Sequence, residues 1–508
     1  MLAALTAAVR AGTGAERVPT TSPSTGLPLA EVPLSTVDDV ADAFAAARQA
    51  QRSWATRPVA ERARVFLRFH DLVLDRQAEV LDLIQLETGK ARKHAFEEVA
   101  DVAIVARHYA RTAGRLLAPQ RRPGVFPLAT RADELAHPKG VVGIVAPWNY
   151  PLTLAVSDAV PAFLAGNGVV LKPDTQTPLT ALWARRLLVE AGLPEDLWQL
   201  VVGPGPVLGP AIVAHADYVS FTGSTRVGRD IAQQAAARLI GCSLELGGKN
   251  AFIVFADAPL DRAAEAAVRA CFSSAGQLCI SMERLLVEES VHDAFMDRFL
   301  ARVRAMRLGG ELDFSADMGS LVSQKQLDVV SRHVEDARSK GATVLAGGRA
   351  RPDIGPLFYE PTVLADVTHD MECSMEETFG PVVSVSTFHD EDEAVAKAND
   401  SAYGLNSAIW TGDLARGRRV GARIHAGTVN VNEAYGAAWG SVAAPMGGMK
   451  DSGLGRRHGA EGLLKYTESQ TIATQRFLGF GAPGWVSDER WTRMMTLGLR
   501  AMKVLGRR

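Results

Sequence analysis

The sequence predicts an α/β protein with two mostly parallel sheets, each at the centre of its own domain. Three observations carry that expectation. The chain has 508 residues, more than one ordinary hydrophobic core accommodates. From residue 140, short β-branched runs alternate with amphipathic segments of helical period. A second region of the same alternation fills residues 251 to about 450. Such alternation indicates βαβ units whose sheet is covered by helices on both faces.

In chain order, residues 37–119 read as helical, because Ala, Leu, Val and Phe recur at three- and four-residue intervals between Arg, Glu and Asp. The first strands fall at residues 140–146, 168–171, 198–202, 218–221 and 242–246, with a helix over 229–239. The second set falls at 251–255, 285–287, 343–346, 382–388, 407–410 and 428–431, with a helix over 261–272. Past residue 475, Trp491, Met494, Met495, Met502 and Leu505 recur at roughly helical spacing among Arg490, Arg493, Arg500, Lys503, Arg507 and Arg508. A basic amphipathic helix can touch anionic lipid. Gly498 and only six basic groups weaken that reading here, so packing against the protein's own surface or a neighbouring subunit is favoured over membrane contact.

Lys and Arg total 55 against 57 Asp and Glu, a net charge of −2 that disfavours a nucleic-acid partner. Four cysteines, Cys242, Cys271, Cys279 and Cys373, form neither a disulfide framework nor a metal-binding spacing, so no metal is expected. Residues 1–9 are apolar but short and lack a basic leader, and no apolar run approaches the ~20 residues that span a bilayer. A cytoplasmic location is the expectation.

Two reactive side chains stand out: Glu245 within Leu244-Glu245-Leu246-Gly247-Gly248-Lys249, and Cys279 within Gly276-Gln277-Leu278-Cys279. A thiolate can add to an electrophilic carbonyl, and a carboxylate can activate the water that cleaves the resulting thioester. The flanking glycines would let a flat cofactor or a substrate approach the backbone. Gly223-Ser224-Thr225-Arg226-Val227-Gly228 joins a strand to a helix whose free amides suit a phosphate, although a tight turn explains that loop equally well. Further motifs are Ala146-Pro147-Trp148-Asn149-Tyr150-Pro151, Leu171-Lys172-Pro173, Glu376-Glu377-Thr378-Phe379-Gly380-Pro381 and Pro445-Met446-Gly447-Gly448-Met449-Lys450.

With these motifs in this order, the chain resembles the aldehyde dehydrogenase superfamily from about residue 20 to residue 475. The resemblance implies a Rossmann-like dinucleotide-binding domain (residues 1–115 and 137–248) and a catalytic domain (249–448). It also implies a β-arm for oligomerisation (116–136 and 462–475), leaving 476–508 as a C-terminal extension, and a homodimer or homotetramer. Cys279 would be the nucleophile and Glu245 the general base. The Asn149 amide and the Cys279 N–H would hold the oxyanion. Lys172 would bond the adenosine ribose, and Pro147, Trp148, Gly223, Ser224, Gly228 and Leu246 would line the dinucleotide site. Glu377 would hold the nicotinamide ribose with Phe379 beside it. NAD-preferring members usually carry a Glu three positions after the Lys; here Thr175 stands there, so NADP is favoured over NAD.

For the substrate, Glu433 and Ser441 are similar to positions in succinic semialdehyde dehydrogenases. The Arg that such enzymes usually carry after the Trp-Asn motif is replaced by Ser157 and Asp158, and a free carboxylate there would repel an anionic substrate. Tyr435 and Trp439 suit an aromatic or aliphatic aldehyde or simply pack a loop. A third reading, from another class, is a non-catalytic binding or structural protein on the same fold.

Overall fold

The computed structural model describes residues 2–126, 129–504 and 506. The helical region resolves into Val37–Ala55, Val59–Asp75, Gln77–Thr88 and Arg92–Leu116. The first opens in a capping box: the Thr36 hydroxyl accepts from the Asp39 N–H, and the Asp39 carboxylate accepts from the Thr36 N–H. Arg92–Leu116 buries a face that carries His94, Glu98 and Asp101 along with Val102 and Val105. Ionisable groups at three- and four-residue spacing are costly to bury unless bonded, and these hold the segments that build the site.

A six-stranded sheet runs in the order Gly453–Leu454, Gly241–Glu245, Tyr218–Thr222, Val141–Val145, Gly168–Lys172, Trp198–Leu200. All neighbours are parallel except Gly453–Leu454, which pairs antiparallel with Gly241–Glu245 and sets Gly453 opposite Glu245. The chain lays down Val141–Val145 first, builds outward on one side, then returns to build on the other. That reversal opens a crevice at the carboxyl ends of the strands. Residues 146–150, 173–175, 223–224 and 246–248 all leave strands at that end.

The second sheet has seven strands: Thr343–Ala346, Thr362–Ala365, Val382–Phe388, Met282–Glu288, Asn250–Val254, Asn406–Trp410 and Thr428–Val431. Only the first pair is antiparallel. Leu246 to Lys249 join the carboxyl end of Gly241–Glu245 directly to the amino end of Asn250–Val254. The carboxyl edge of one sheet therefore meets the amino edge of the other, where Cys279 precedes Met282–Glu288.

Two features were not expected. Thr362–Ala365 is a strand hydrogen-bonded between an antiparallel neighbour, Thr343–Ala346, and a parallel one, Val382–Phe388, and Arg17–Thr21 pairs with Pro28–Pro33 as a hairpin. Thr130–Pro138 pairs with both Gln120–Arg122 and Thr467–Gln475, and the last strand is exposed over nearly its whole length. The tail forms the helix Asp488–Val504; its expected members Leu505, Arg507 and Arg508 lie outside the described residues. Trp491 alone is buried, its indole N–H donating to the Phe480 carbonyl at 2.7 Å, while Met494, Leu497 and Leu499 face outward. The favoured packing on the chain's own surface thus involves Trp491, with Met495 and Met502 half-buried. Among the described residues no helix is long and apolar enough to cross a membrane.

Candidate active site

Cys279 reaches its place through a strained loop. Ser274 and Ala275 have φ of 54° and 55°, and Gly276 has φ of 70°. Left-handed backbone at consecutive non-glycine residues persists only where surroundings over-determine it. Here the Gln277 side chain donates to Ser274 O and accepts from the Val322 N–H, and Asn250 Nδ2 donates to the carbonyls of Cys279 (2.8 Å) and Ser281 (2.7 Å). The glycines are required by the protein's own packing. A Cβ on Gly276 would stand 2.0 Å from Gly380 O, one on Gly248 2.6 Å from Cys279 O, and one on Gly247 2.4 Å from a Glu377 oxygen.

A mostly apolar cavity is lined by Cys279, Asn149, Tyr435, Trp439, Arg457 and His458, among others. Asn149 is held from behind. Lys90 Nζ donates to its carbonyl at 2.6 Å and pairs with Glu98 at 2.7 Å, while the second Glu98 oxygen accepts from the N–H groups of Leu152 and Thr153. One Asn149 Nδ2 hydrogen goes to Gln277 O at 3.0 Å, leaving the other for a ligand. The Cys279 N–H donates to no acceptor among the described residues.

The thiol is pushed up to about 12 by burial first and then by Glu377 and Glu245, with Arg457 opposing. At neutral pH it is a protonated thiol that needs a base. Glu245 ends the strand Gly241–Glu245; burial pushes its carboxyl up to about 7, opposed by Arg457 and Lys465. Its Oε1 is buried without a hydrogen-bond partner and approaches Gly447, the neighbour of the cavity residue Met446. No hydrogen bond joins Glu245 directly to Cys279, although the two lie close enough for the acid's charge to act on the thiol.

The residues expected at a dinucleotide follow the crevice. Lys172 is 4% exposed, its ammonium donating only to Pro173 O, and burial lowers its pKa. Thr175 Oγ1 donates to Gly203 O at 3.1 Å. Ser224 is the exposed residue just before the helix Thr225–Ala237, and its side chain does not cap it, so the first-turn amides are open. Gly223 and Gly228 allow close packing, since a Cβ would strike Phe221 at 2.6 Å and Leu246 at 2.5 Å respectively. Trp148 meets Phe379 edge to face at 5.5 Å, and Pro147 beside it is half-buried. Glu377 Oε1 accepts from the Gly248 N–H at 2.8 Å, Oε2 bonds nothing described, and burial pushes the carboxyl up to about 8. A buried ammonium with spare donors, an uncapped helix start and a half-used carboxylate along one crevice fit a dinucleotide.

The expected substrate residues separate. Tyr435 and Trp439 line the cavity; Ser157, Asp158 and Ser441 are not among its lining residues. Ser157 donates to Asp101 at 2.6 Å, Ser441 donates to Ala437 O, and Asp158 is buried against Lys465 (3.3 Å) and Arg457 (3.5 Å). The Tyr435 hydroxyl is tied to Glu97 and Ser273. Sequence reasoning missed Asn250, Lys90, Glu98 and the Lys249–Glu283 pair, whose carboxylate accepts from the N–H groups of Thr378 and Phe379. It also missed Arg457. Buried charges in a strand-to-loop junction were the available signal, but their partners lie far apart in the chain.

A buried thiol, an amide with a spare hydrogen and a nearby acid at the junction of two mostly parallel sheets are the groups that covalent acyl chemistry requires. Residues 9–472 match the aldehyde dehydrogenase family, and the chain belongs to that family. It is 56% identical, over 95% of its length and 93% of the other's, to a protein of Mycolicibacterium smegmatis (strain ATCC 700084 / mc(2)155) named "Putative succinate-semialdehyde dehydrogenase [NADP(+)]". It is 36% identical to the peroxisomal aminoaldehyde dehydrogenase 2 of Pisum sativum, covering 94% of each. Among solved structures, betaine aldehyde dehydrogenase from Staphylococcus aureus in complex with NAD+ aligns with a TM-score of 0.88, 32% identity and coverage of 94% and 95%.

Proposed function

We propose that this aldehyde dehydrogenase oxidises a short aldehyde bearing a distal carboxylate, succinate semialdehyde being the leading candidate, with NADP preferred over NAD. The observation that carries the chemistry is the shared cavity of Cys279 and Asn149, with the unpartnered Oε1 of Glu245 behind it. The sulfur adds to the aldehyde carbon once its proton has left towards Glu245, whose value of about 7 suits that transfer near neutrality. The free N–H of Cys279 and the spare hydrogen of Asn149 Nδ2 face the oxygen that gains charge. When bound, the nicotinamide supplies the acceptor for the departing hydride. Lys172, Ser224, Trp148, Glu377 and Phe379 would hold the dinucleotide. Glu245 gives that proton up to solvent, then takes one from water attacking the thioester and returns it to the departing sulfur, releasing acid and free thiol.

The lean to NADP rests on Thr175, which adds no second carboxylate to the Asp174 already near Lys172, and agrees with the name of the M. smegmatis relative. Residues 1–115 with 137–248 would serve the dinucleotide and 249–448 would carry the nucleophile. The exposed strand Thr467–Gln475 would pair with a second copy in a homodimer or homotetramer. Trp439 on the cavity wall favours a second reading, oxidation of an uncharged aromatic or aliphatic aldehyde. A panel of succinate semialdehyde, butanal and benzaldehyde with each dinucleotide separates the two. Cys279→Ala abolishes turnover of all of them, and retained turnover refutes the mechanism.

A further inference from the structure

Among the described residues, Arg457 is the one strongly basic side chain on the cavity that holds Cys279, and its bonding is incomplete. The residue is 7% exposed, and its guanidinium makes no hydrogen bond to any described residue, Nε and Nη2 being buried without a partner. Its closest acid, Asp158, lies 3.5 Å from Nε and is shared with Lys465 and the Tyr466 hydroxyl. A guanidinium carries five N–H donors in a planar fork, and leaving them unmet in a low-dielectric site is costly. Burial opposes its charge, but Asp158, Glu245 and Asp101 outweigh that and keep it cationic.

Nothing else on the cavity wall offers that complement. His458 is held neutral, pushed down to about 3 by burial and by Arg457 itself. The Glu97 carboxylate is occupied by Tyr435, Tyr150 and Arg269. Ser441, expected at the far end of the substrate, is exposed and spends its proton on Ala437 O. Asp158, expected to repel an anion, instead anchors the cation.

We infer that Arg457 is the specificity-determining residue that binds the distal carboxylate of the aldehyde, its free N–H groups meeting the carboxylate oxygens while Cys279 meets the carbonyl in the same cavity. The assignment rests on the reading of Cys279 as the nucleophile. A fork of donors against a desolvated carboxylate explains selectivity for acids without an arginine on the helix after Trp148. Losing one such buried partner reduces discrimination by roughly 30-fold or more.

The test is kcat/KM for two matched pairs, succinate semialdehyde against butanal and 4-carboxybenzaldehyde against benzaldehyde, in wild type, Arg457→Met and Arg457→Lys. The expected result is an acid-to-neutral ratio that falls roughly 30-fold or more in Arg457→Met, mainly through KM, and is partly restored in Arg457→Lys. Equal loss on acid and neutral substrates, with the ratio unmoved, overturns the assignment and leaves Arg457 as electrostatic support for Cys279 and Glu245. Should Arg457→Met fail to fold, the Arg457→Lys ratio decides alone, an unchanged ratio refuting the inference. A wild type that prefers 4-carboxybenzaldehyde but not succinate semialdehyde removes the chain-length reading and leaves Arg457 tested by the aromatic pair. One that prefers neither acid overturns Arg457 itself.

Discussion

Replacing Glu245 with Gln removes the base while keeping nearly the same volume, and the carboxyl's environment sets the size of the effect. Burial raises it to about 7, so the proton stays on below that pH and the base appears as pH rises through it. About half the molecules hold the base at pH 7, roughly a tenth at pH 6 and roughly nine tenths at pH 8. If hydrolysis of the thioester limits turnover, the steady rate climbs about tenfold between pH 6 and 8. In Glu245→Gln that rise disappears, and the steady rate drops on the order of 100-fold or more, the usual contribution of a general base. Stopped-flow absorbance at the reduced-nicotinamide band provides the assay. The variant should still release about one equivalent of reduced dinucleotide per site, more slowly than wild type because the thiol has lost its proton acceptor, since hydride departs before water attacks. A flat wild-type profile from pH 6 to 8, or equal steady rates for the two proteins, would refute the assigned base.

Glu98→Ala strands Lys90 in the interior and frees the N–H groups of Leu152 and Thr153, so unfolding by denaturant should show a loss of about 3–5 kcal/mol; a loss under about 1 kcal/mol contradicts the pairing. Thr175→Glu introduces a charge that should shift relative kcat/KM from NADP towards NAD by roughly tenfold or more, and an unchanged ratio discounts that position. Gly276→Ala combines a positive φ with a Cβ 2.0 Å from Gly380 O, so reactivity of Cys279 with iodoacetamide should change along with a lowered melting temperature. Deleting residues 483–508 removes a helix with one buried side chain and should cost under about 1 kcal/mol. Neither form should sediment with anionic vesicles; pelleting of the full chain alone would establish lipid contact.

Much of the fold was legible because buried parallel strands announce themselves as apolar runs. Val141–Val145, Gly168–Lys172 and Asn250–Val254 are buried on both faces, so their side chains are apolar except at the strand ends Lys172 and Asn250, which face the site. Thr362–Ala365 has the same Thr-Val-Leu-Ala run as the expected strand Thr343–Ala346, so its local pattern did not set it apart; its place is fixed by hydrogen bonds to Thr343–Ala346 and Val382–Phe388. Cys279, Glu245 and Asn149 were legible as candidates because their chemistry goes with residue type and local spacing. Arg457 was not, since nothing in Leu454-Gly455-Arg456-Arg457-His458 says which arginine turns inward.

By itself the sequence determined the α/β class, the sulfur and carboxylate able to perform acyl chemistry, and the missing acid at Thr175, all matters of residue identity and local period. Tertiary structure alone decided which charges face each other. Asp158 became an anchor once Arg457 and Lys465 folded against it, and Glu245 rose to about 7 only through burial. The physical reason is that desolvation and pairing depend on contacts between segments tens to hundreds of residues apart, which no local pattern encodes.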